Sequence, residues 1–207
     1  MRAPRAARDL KPLGGWWKRS FDIVLSLLLL GSLSPFLLLV WCLVRVTSRG
    51  PGFFRQPRGG MLGKPFQIYK FRTMSVCEVS AVKQAEKSDV RVTKLGRFLR
   101  ATSIDELPQL LNVLRGDMSL VGPRPHALVH DQEFEEVDQR YPWRRRARPG
   151  ITGLAQISGS RGPTETDDKV KKRVDHDVEY IVTWSPWLDI KILIQTPFLA
   201  FRDKNAF

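Results

Sequence analysis

Two adjacent carboxylates, Asp105 and Glu106, are the residues best suited to chemistry on a phosphorylated substrate. They lie in ATSIDELPQLLNVLRGDMSLVGPRP, which covers residues 101–125 of a 207-residue chain. Neighbouring side chains on a helix diverge by about 100°, so the two groups cannot act as a symmetric pair on one atom. They can divide the work, with one carboxylate as a nucleophile that forms an acyl phosphate and the other as a ligand of Mg²⁺.

Helix capping is a structural explanation of the same pair. Ser103 and Glu106 have the S-x-x-E spacing of a capping box, and acids in a first turn complement the helix dipole. Four leucines at helical spacing and a stop at Gly116 predict a helix over residues 104–115. These residues alone leave capping and catalysis both open.

Several basic residues are candidates for holding phosphate. Arg124 lies between two prolines in GPRP, and Arg148 precedes Pro149-Gly150. A rigid frame fixes a guanidinium at little entropic cost, which suits bidentate phosphate binding. Lys70 and Arg72 are further candidates, whereas we interpret the run 144–146 as solvated charge or contact with anionic lipid.

The charge of the whole chain indicates an anionic partner. The formal net charge is +13, which fits nucleic acid, an anionic membrane face or a phosphorylated substrate. The basic residues cluster around an apolar run, and the chain carries no recognised nucleic-acid motif, so we expect no nucleic-acid partner. Only two cysteines are present, which gives no basis for a disulfide framework or a zinc site.

The apolar run at residues 23–44 contains no charged residue and is long enough to enter a membrane. Basic residues flank it on both sides, and positive charge favours the cytoplasmic face at each end. A helix over residues 18–48 that enters, breaks at Ser34-Pro35 and returns satisfies both flanks. A kinked span is the alternative, and a signal peptide is disfavoured because the run is long and has no cleavage site.

The remaining elements must position the candidate residues beside this membrane segment. Residues 50–60 are punctuated by Gly and Pro, and residues 64–74 alternate like a strand, which together predict a β-hairpin. Periodicity predicts helices over residues 126–140 and 167–184. The segment after Trp184 is apolar and broken by Pro197, and with Trp187 it suits a membrane interface.

These elements predict an α+β, mostly helical fold: a monotopic membrane protein with a re-entrant helix-break-helix hairpin, a small β-hairpin and interfacial amphipathic helices. The expected divisions are a basic tail (1–17), the re-entrant membrane helix (18–48) and a cytoplasmic catalytic domain with an interfacial C-terminal helix (49–207).

The sequence closely resembles the bacterial sugar transferase family, the monotopic phosphoglycosyl transferases. The likeness runs from Lys18 to the chain end, and SIDELPQL joined to GDMSLVGPRP is its most specific part. The other matching stretches are KRSFDIVLSLLLLGSLSP, FFRQPRGGMLGKPFQIYKFRTM, RPGITGLAQISG and DHDVEYIVTWSPWLDIKILIQT.

The resemblance implies a role for each candidate. Asp105 would attack the β-phosphate of a UDP-hexose, with UMP as the leaving group, and undecaprenyl phosphate would then collect the sugar phosphate. Glu106 would bind Mg²⁺, Arg124 and Arg148 would hold phosphates, and Lys70 and Arg72 would line the floor of the site.

The resemblance also implies a setting. We expect the cytoplasmic face of a bacterial inner membrane, contact with anionic phospholipid, a role in exopolysaccharide or other glycoconjugate assembly, and a homodimer as one possible assembly. We expect the chain to be the minimal catalytic unit, without the N-terminal multi-span domain that many relatives carry. The rival interpretation is a non-catalytic, basic, membrane-anchored binding or scaffold protein.

Overall fold

A computed structural model describes residues 13–75, 89–160, 162, 164 and 166–202. The first twelve residues of the predicted basic tail, the polar segment 76–88 and the chain end 203–207 lie outside the described residues. The helices are α1 (Gly15–Thr47), α2 (Lys94–Ala101), α3 (Leu110–Arg115), α4 (Leu128–Val137), α5 (Leu154–Ile157), α6 (Asp167–Thr183) and α7 (Pro186–Arg202). The strands are β1 (Phe53–Gly59), β2 (Pro65–Phe71), β3 (Ser119–Val121) and β4 (Gly150–Thr152).

Helix α1 continues through the predicted break at Ser34-Pro35. Pro35 has no N–H, so the carbonyl of Gly31 loses its helical donor. The Ser34 hydroxyl donates to that carbonyl oxygen at 2.9 Å and replaces the missing bond. This bond keeps the backbone helical at Ser34-Pro35, where the sequence predicted an interruption.

Both ends of α1 rest on the same globular body. Near its N-terminus Lys18 pairs with Asp189 of α7 at 2.6 Å. Near its C-terminus Val40 and Val44 pack in a core cluster with residues of β2 and α2. No residue between positions 27 and 39 is buried. Among the described residues, α1 is the only helix that is long and apolar enough to cross a membrane.

The predicted β-hairpin is present and extends further than its sequence pattern indicates. Strands β1 and β2 pair antiparallel in a register that joins Phe53 to Phe71 and Gly59 to Pro65. Strand β1 lies in the stretch that the sequence assigned to a turn. A strand can form there because its proline, Pro57, is tolerated on an edge strand. Ile68 and Phe71 of β2 are buried in two different core clusters.

A second, two-stranded sheet joins the GPRP loop to the RPG loop. Strands β3 and β4 run parallel and pair Ser119 with Gly150 and Val121 with Thr152. Gly122 and Gly150 meet backbone to backbone, and a Cβ on Gly150 would lie 2.1 Å from the amide nitrogen of Gly122. Glycine is required there because the two loops approach each other so closely.

The C-terminal helices complete the core and confirm a mostly helical fold with small sheets. Tyr180 of α6 and Ile192 of α7 are buried in the cluster beneath β3. Helix α7 runs through Pro197 without interruption, so the break predicted there is wrong. Trp187 at its start is 78% exposed, as is expected of a residue at a membrane interface.

Candidate active site

Asp105 and Glu106 lie at the start of a 3₁₀-helix, Ile104–Gln109, that leads directly into α3. Ser103 precedes them with φ 57° and ψ 16°, a left-handed conformation that is strained for a residue with a side chain. Its side chain makes no capping hydrogen bond to this helix. The capping-box explanation is therefore wrong, and the geometry before Asp105 is of a kind that clusters at functional sites.

Glu106 is held by two cations instead of capping the helix. Its Oε1 lies 2.7 Å from Lys70 Nζ of β2 and 2.7 Å from Arg124 Nη2, and Arg124 Nη1 reaches Oε2 at 3.2 Å. Burial opposes ionisation of this group, but the charges of Arg124 and Lys70 outweigh it and hold its pKa well below the usual range. Glu106 is therefore ionised and firmly oriented at neutral pH.

The surroundings of Asp105 shift its pKa in the opposite direction from that of Glu106. It is buried, and its Oδ2 lies 4.0 Å from Lys70 Nζ. Burial raises the pKa of this carboxyl to about 6, with a further contribution from Glu106, while Lys70 acts in the other direction. Two neighbouring carboxyls with pKa values pushed apart are typical of a site that divides roles between them.

Arg100 is a further member of the site that the sequence did not single out. It lies in the last turn of α2 and donates from Nε to the Thr73 hydroxyl at 2.8 Å. Its charge lowers the pKa of Asp105, and burial lowers the pKa of Arg100 itself against the opposing charge of Asp105. Nothing in the sequence pattern distinguishes this arginine from its basic neighbours, because its role depends on β2 and α2 lying side by side.

A buried ion pair contacts the backbone of the proline-framed Arg124 and holds it in place. Arg144 donates from Nη2 to the backbone oxygen of Arg124 at 2.7 Å and from Nε to Asp177 of α6 at 2.6 Å. Both members of the pair are almost fully buried. The interpretation of Arg144 as surface charge is therefore wrong, whereas Arg146 is exposed and stacks over Trp143 at 4.5 Å.

The structure does not bring Arg72 and Arg148 to the carboxylate pair. Arg72 donates from Nη2 to the backbone oxygen of Ser48 at 2.6 Å, just after α1 ends. Arg148 donates from Nε to the backbone oxygen of Gly116 at 3.1 Å, at the opposite end of α3 from Asp105. Both satisfy carbonyl groups at helix C-termini, and the phosphate-binding role predicted for them stays a prediction.

A site for Mg²⁺ would have to be built from the carboxylate pair and the substrate. The described residues contain no group of three or more His, Cys, Asp or Glu side chains that could hold a metal. Mg²⁺ often takes only one or two carboxylates together with substrate phosphates, so Asp105 and Glu106 fit that donor set. Glu106 would exchange part of its contact with Lys70 or Arg124 for the ion.

Fold and site together define a membrane-associated protein with a buried, cation-flanked carboxylate pair beside its membrane helix. The family model described as bacterial sugar transferase matches residues 13–203. The chain therefore belongs to the bacterial sugar transferase family, as its sequence motifs indicate.

Curated relatives give the comparison more detail. The chain is 52% identical over 192 residues to the UDP-glucose:undecaprenyl-phosphate glucose-1-phosphate transferase of Klebsiella pneumoniae, a match that covers 92% of this chain and 41% of that protein. The protein of the same name from Caulobacter vibrioides is 51% identical over 205 residues, a match that covers 99% of this chain and 74% of that protein. The exopolysaccharide production protein PSS of Rhizobium leguminosarum bv. phaseoli is 46% identical over 184 residues, a match that covers 86% of this chain and 92% of that protein. The chain thus spans about two fifths of the Klebsiella relative and most of the other two.

Proposed function

We propose that this protein transfers a hexose 1-phosphate from a UDP-hexose to undecaprenyl phosphate and releases UMP. The observation that carries the proposal is the buried pair itself, in which Lys70 and Arg124 contact Glu106 and keep it ionised, whereas burial raises the pKa of its neighbour Asp105. The names of the relatives, which specify UDP-glucose and undecaprenyl phosphate, support this choice of substrates.

The proposed reaction has two displacements at one phosphorus atom. An oxygen of ionised Asp105 attacks the β-phosphorus of the donor, and the bond from that phosphorus to the bridging oxygen breaks, so the bridging oxygen leaves with UMP. A phosphate oxygen of the acceptor then attacks the same phosphorus and breaks its bond to Asp105. The carboxylate is restored, and the sugar is joined to the lipid through a diphosphate.

The surrounding cations have specific tasks in this scheme. Lys70 and Arg124 already lie within 2.7 Å of Glu106, and Arg100 adds a third positive charge to the two negative charges of the pair. This net positive charge favours a diphosphate in the site and stabilises the charge that develops on its oxygens. Mg²⁺, held by Glu106 and the donor phosphates, would neutralise further charge on the diphosphate.

The position of α1 supports a re-entrant placement in the membrane. A straight helix of 33 residues is about 50 Å long. A straight crossing would separate its ends by the full bilayer, yet both ends pack on one globular body. We infer that α1 bends at Pro35, so that residues 27–39 dip into one leaflet, and that the catalytic site faces the cytoplasm of a bacterial inner membrane, where the basic flanks favour it.

UMP release tests the proposed function. The full chain in detergent receives undecaprenyl phosphate, Mg²⁺ and one of a panel of UDP-hexoses, with Asp105→Asn beside the wild type. We expect UMP from the wild type with at least one donor and none from the variant. UMP release that survives in Asp105→Asn would place the nucleophile elsewhere, and no release with any donor would favour the scaffold interpretation.

A further inference from the structure

Thr73 lies just after the end of β2 and is buried against α2. Its hydroxyl oxygen accepts a hydrogen bond from Nε of Arg100 at 2.8 Å. Lys70, three residues earlier in the same segment, binds Glu106 at 2.7 Å. The end of β2 therefore contacts the carboxylate pair and also the arginine whose charge acts on Asp105.

Helix α2 packs closely against the backbone of Thr73. The Thr93 amide donates to the backbone oxygen of Thr73 at 3.0 Å, and the Thr93 hydroxyl oxygen caps α2 by accepting from the amide of Gly96 at 2.8 Å. A Cβ at Gly96 would lie 2.0 Å from the same oxygen of Thr73, so only glycine allows this approach. Gly96 and Arg100 are four residues apart and share one face of the helix. The face that meets the Thr73 backbone at Gly96 thus brings Arg100 to the Thr73 hydroxyl.

The side chain of Arg100 is held by this one hydrogen bond. In the part of the chain that the structure describes, its Nη1 and Nη2 atoms form no hydrogen bond and it forms no ion pair. Arg124, by contrast, is paired with Glu106. The Nη groups of Arg100 are therefore available to an anion that reacts at Asp105, and their direction depends on the hydroxyl of Thr73.

The orientation of a guanidinium decides how well it stabilises a reacting phosphoryl group. Charge develops on the oxygens of that group during transfer, and a hydrogen-bond donor is most effective when it is already directed at them. Ordering a long arginine side chain during the reaction costs free energy, which the protein avoids by ordering it in advance. A carboxylate would orient Arg100 but also neutralise it, whereas the neutral hydroxyl of Thr73 orients it and leaves its charge intact.

We propose that Thr73 is a positioning residue for the transfer reaction, because its hydroxyl holds Arg100 in the orientation that serves the phosphoryl group at Asp105. This inference rests on the proposed function, since the direction of the Arg100 guanidinium affects the rate only if a phosphoryl group is transferred there. The effect of the Thr73 hydroxyl on the rate passes entirely through Arg100.

Substitutions at Thr73 separate its hydroxyl from its shape. UMP release by the full chain in detergent is measured at saturating undecaprenyl phosphate over a range of UDP-hexose concentrations. Thr73→Val, which is similar in shape but lacks the hydroxyl, should lower kcat about tenfold, as expected for loss of a hydrogen bond to a charged group. The donor KM should stay within about twofold, because the charge acts in the transfer step. Thr73→Ser should keep kcat within about threefold of the wild type, and Thr73→Ala should match Thr73→Val, since both lack the hydroxyl.

A double-mutant cycle tests whether Thr73 acts through Arg100. Arg100→Gln should lower kcat at least about tenfold, and labelled donor with long incubation keeps the slow rate measurable. Adding Thr73→Val to Arg100→Gln should change the rate by less than about twofold, because the hydrogen bond is already absent. If Thr73 only supported the fold, Thr73→Val would lower the rate by the same factor in both backgrounds.

The matched control for loss of a buried hydroxyl is Thr152→Val. Thr152 of β4 is 5% exposed, and its Oγ1 lies 2.7 Å from Oγ1 of Thr196. Thr196 also donates to the backbone oxygen of Ile192 at 2.7 Å, so it keeps a partner in the variant. The kcat of Thr152→Val should stay within about twofold of the wild type, because Arg100 loses nothing.

A readout that does not depend on activity separates this inference from the proposed function. In protein with isotopically labelled arginine, the Nε–H resonance that disappears in Arg100→Gln should shift or broaden in Thr73→Val and return in Thr73→Ser. An unchanged resonance or an unchanged kcat in Thr73→Val, a Thr73→Ser variant as slow as Thr73→Val, or a full effect of Thr73→Val in the Arg100→Gln background would overturn the role of Thr73 alone. A wild type that shows the expected resonance changes but releases UMP from no donor would refute the transferase proposal.

Discussion

Replacing Asp105 by asparagine should inactivate the protein and at the same time make it more stable at neutral pH. Asp105 is 7% exposed, and burial raises its pKa to about 6. An unfolded aspartate has a pKa of about 3.9. Ionisation of this group therefore opposes folding, which is a cost that Asp105→Asn removes.

The sign and size of the effect follow from the gap between the two pKa values. Below about pH 4 the carboxyl is protonated in both states and imposes no penalty. The penalty grows as the pH rises from about 4 to about 6 and is complete above that range. A gap of about 2 units corresponds to about 3 kcal/mol at pH 7, a ceiling because asparagine reproduces the protonated acid only in part. For a chain of this length that ceiling corresponds to roughly 6–12 °C in Tm.

Thermal unfolding followed by intrinsic fluorescence at pH 7.5 and pH 4.0 measures the effect. Asp105→Asn should melt several degrees above the wild type at pH 7.5, and the two should converge at pH 4.0. Glu133→Gln, a substitution at an exposed acid on α4, is the control and should change little at either pH. A variant that melts below the wild type at both pH values, or a difference that does not depend on pH, would refute the reasoning.

Three further predictions follow from the same contacts. Glu106→Gln should lower the free energy of unfolding by about 2–4 kcal/mol, measured by denaturant titration, because it leaves Lys70 and Arg124 without their shared counter-charge; an unchanged midpoint would contradict this. UMP release should fall about tenfold from pH 7 to pH 5 as the nucleophile becomes protonated, whereas a profile that is flat over this range would argue against Asp105 as the nucleophile. In a cysteine-free background, Leu10→Cys and Arg49→Cys should be labelled from the same side of the membrane, and labelling from opposite sides would exclude the re-entrant placement.

The elements that depend on local pattern were predictable from the sequence. The helix that ends at Gly116, the β-hairpin and the long apolar helix all follow from periodicity, glycine stops and hydropathy, which act within a few residues. The break predicted at Pro197 is wrong, because a helix with packed neighbours tolerates proline better than its local cost suggests. Pro35 and Pro197 both lie inside continuous helices.

The site was predictable only in part, because its basic residues have roles that depend on distant partners. Lys70 and Arg124 converge on Glu106, as their predicted place in the site requires. Arg72 and Arg148 have similar local sequences but satisfy helix carbonyls elsewhere. Arg144 lies in a run of three arginines and is buried only because Asp177, 33 positions away, supplies its counter-charge. No local pattern carries such information.

The most direct test of the account is a search for the covalent intermediate on Asp105. The full chain is incubated with a UDP-hexose and Mg²⁺ in the absence of undecaprenyl phosphate, quenched in acid, and analysed by intact-protein and peptide mass spectrometry. The account predicts one added hexose phosphate on the peptide that contains Asp105, released when the acceptor is supplied and absent in Asp105→Asn. Turnover by the wild type with no adduct on that peptide, or an adduct that persists in Asp105→Asn, would contradict it.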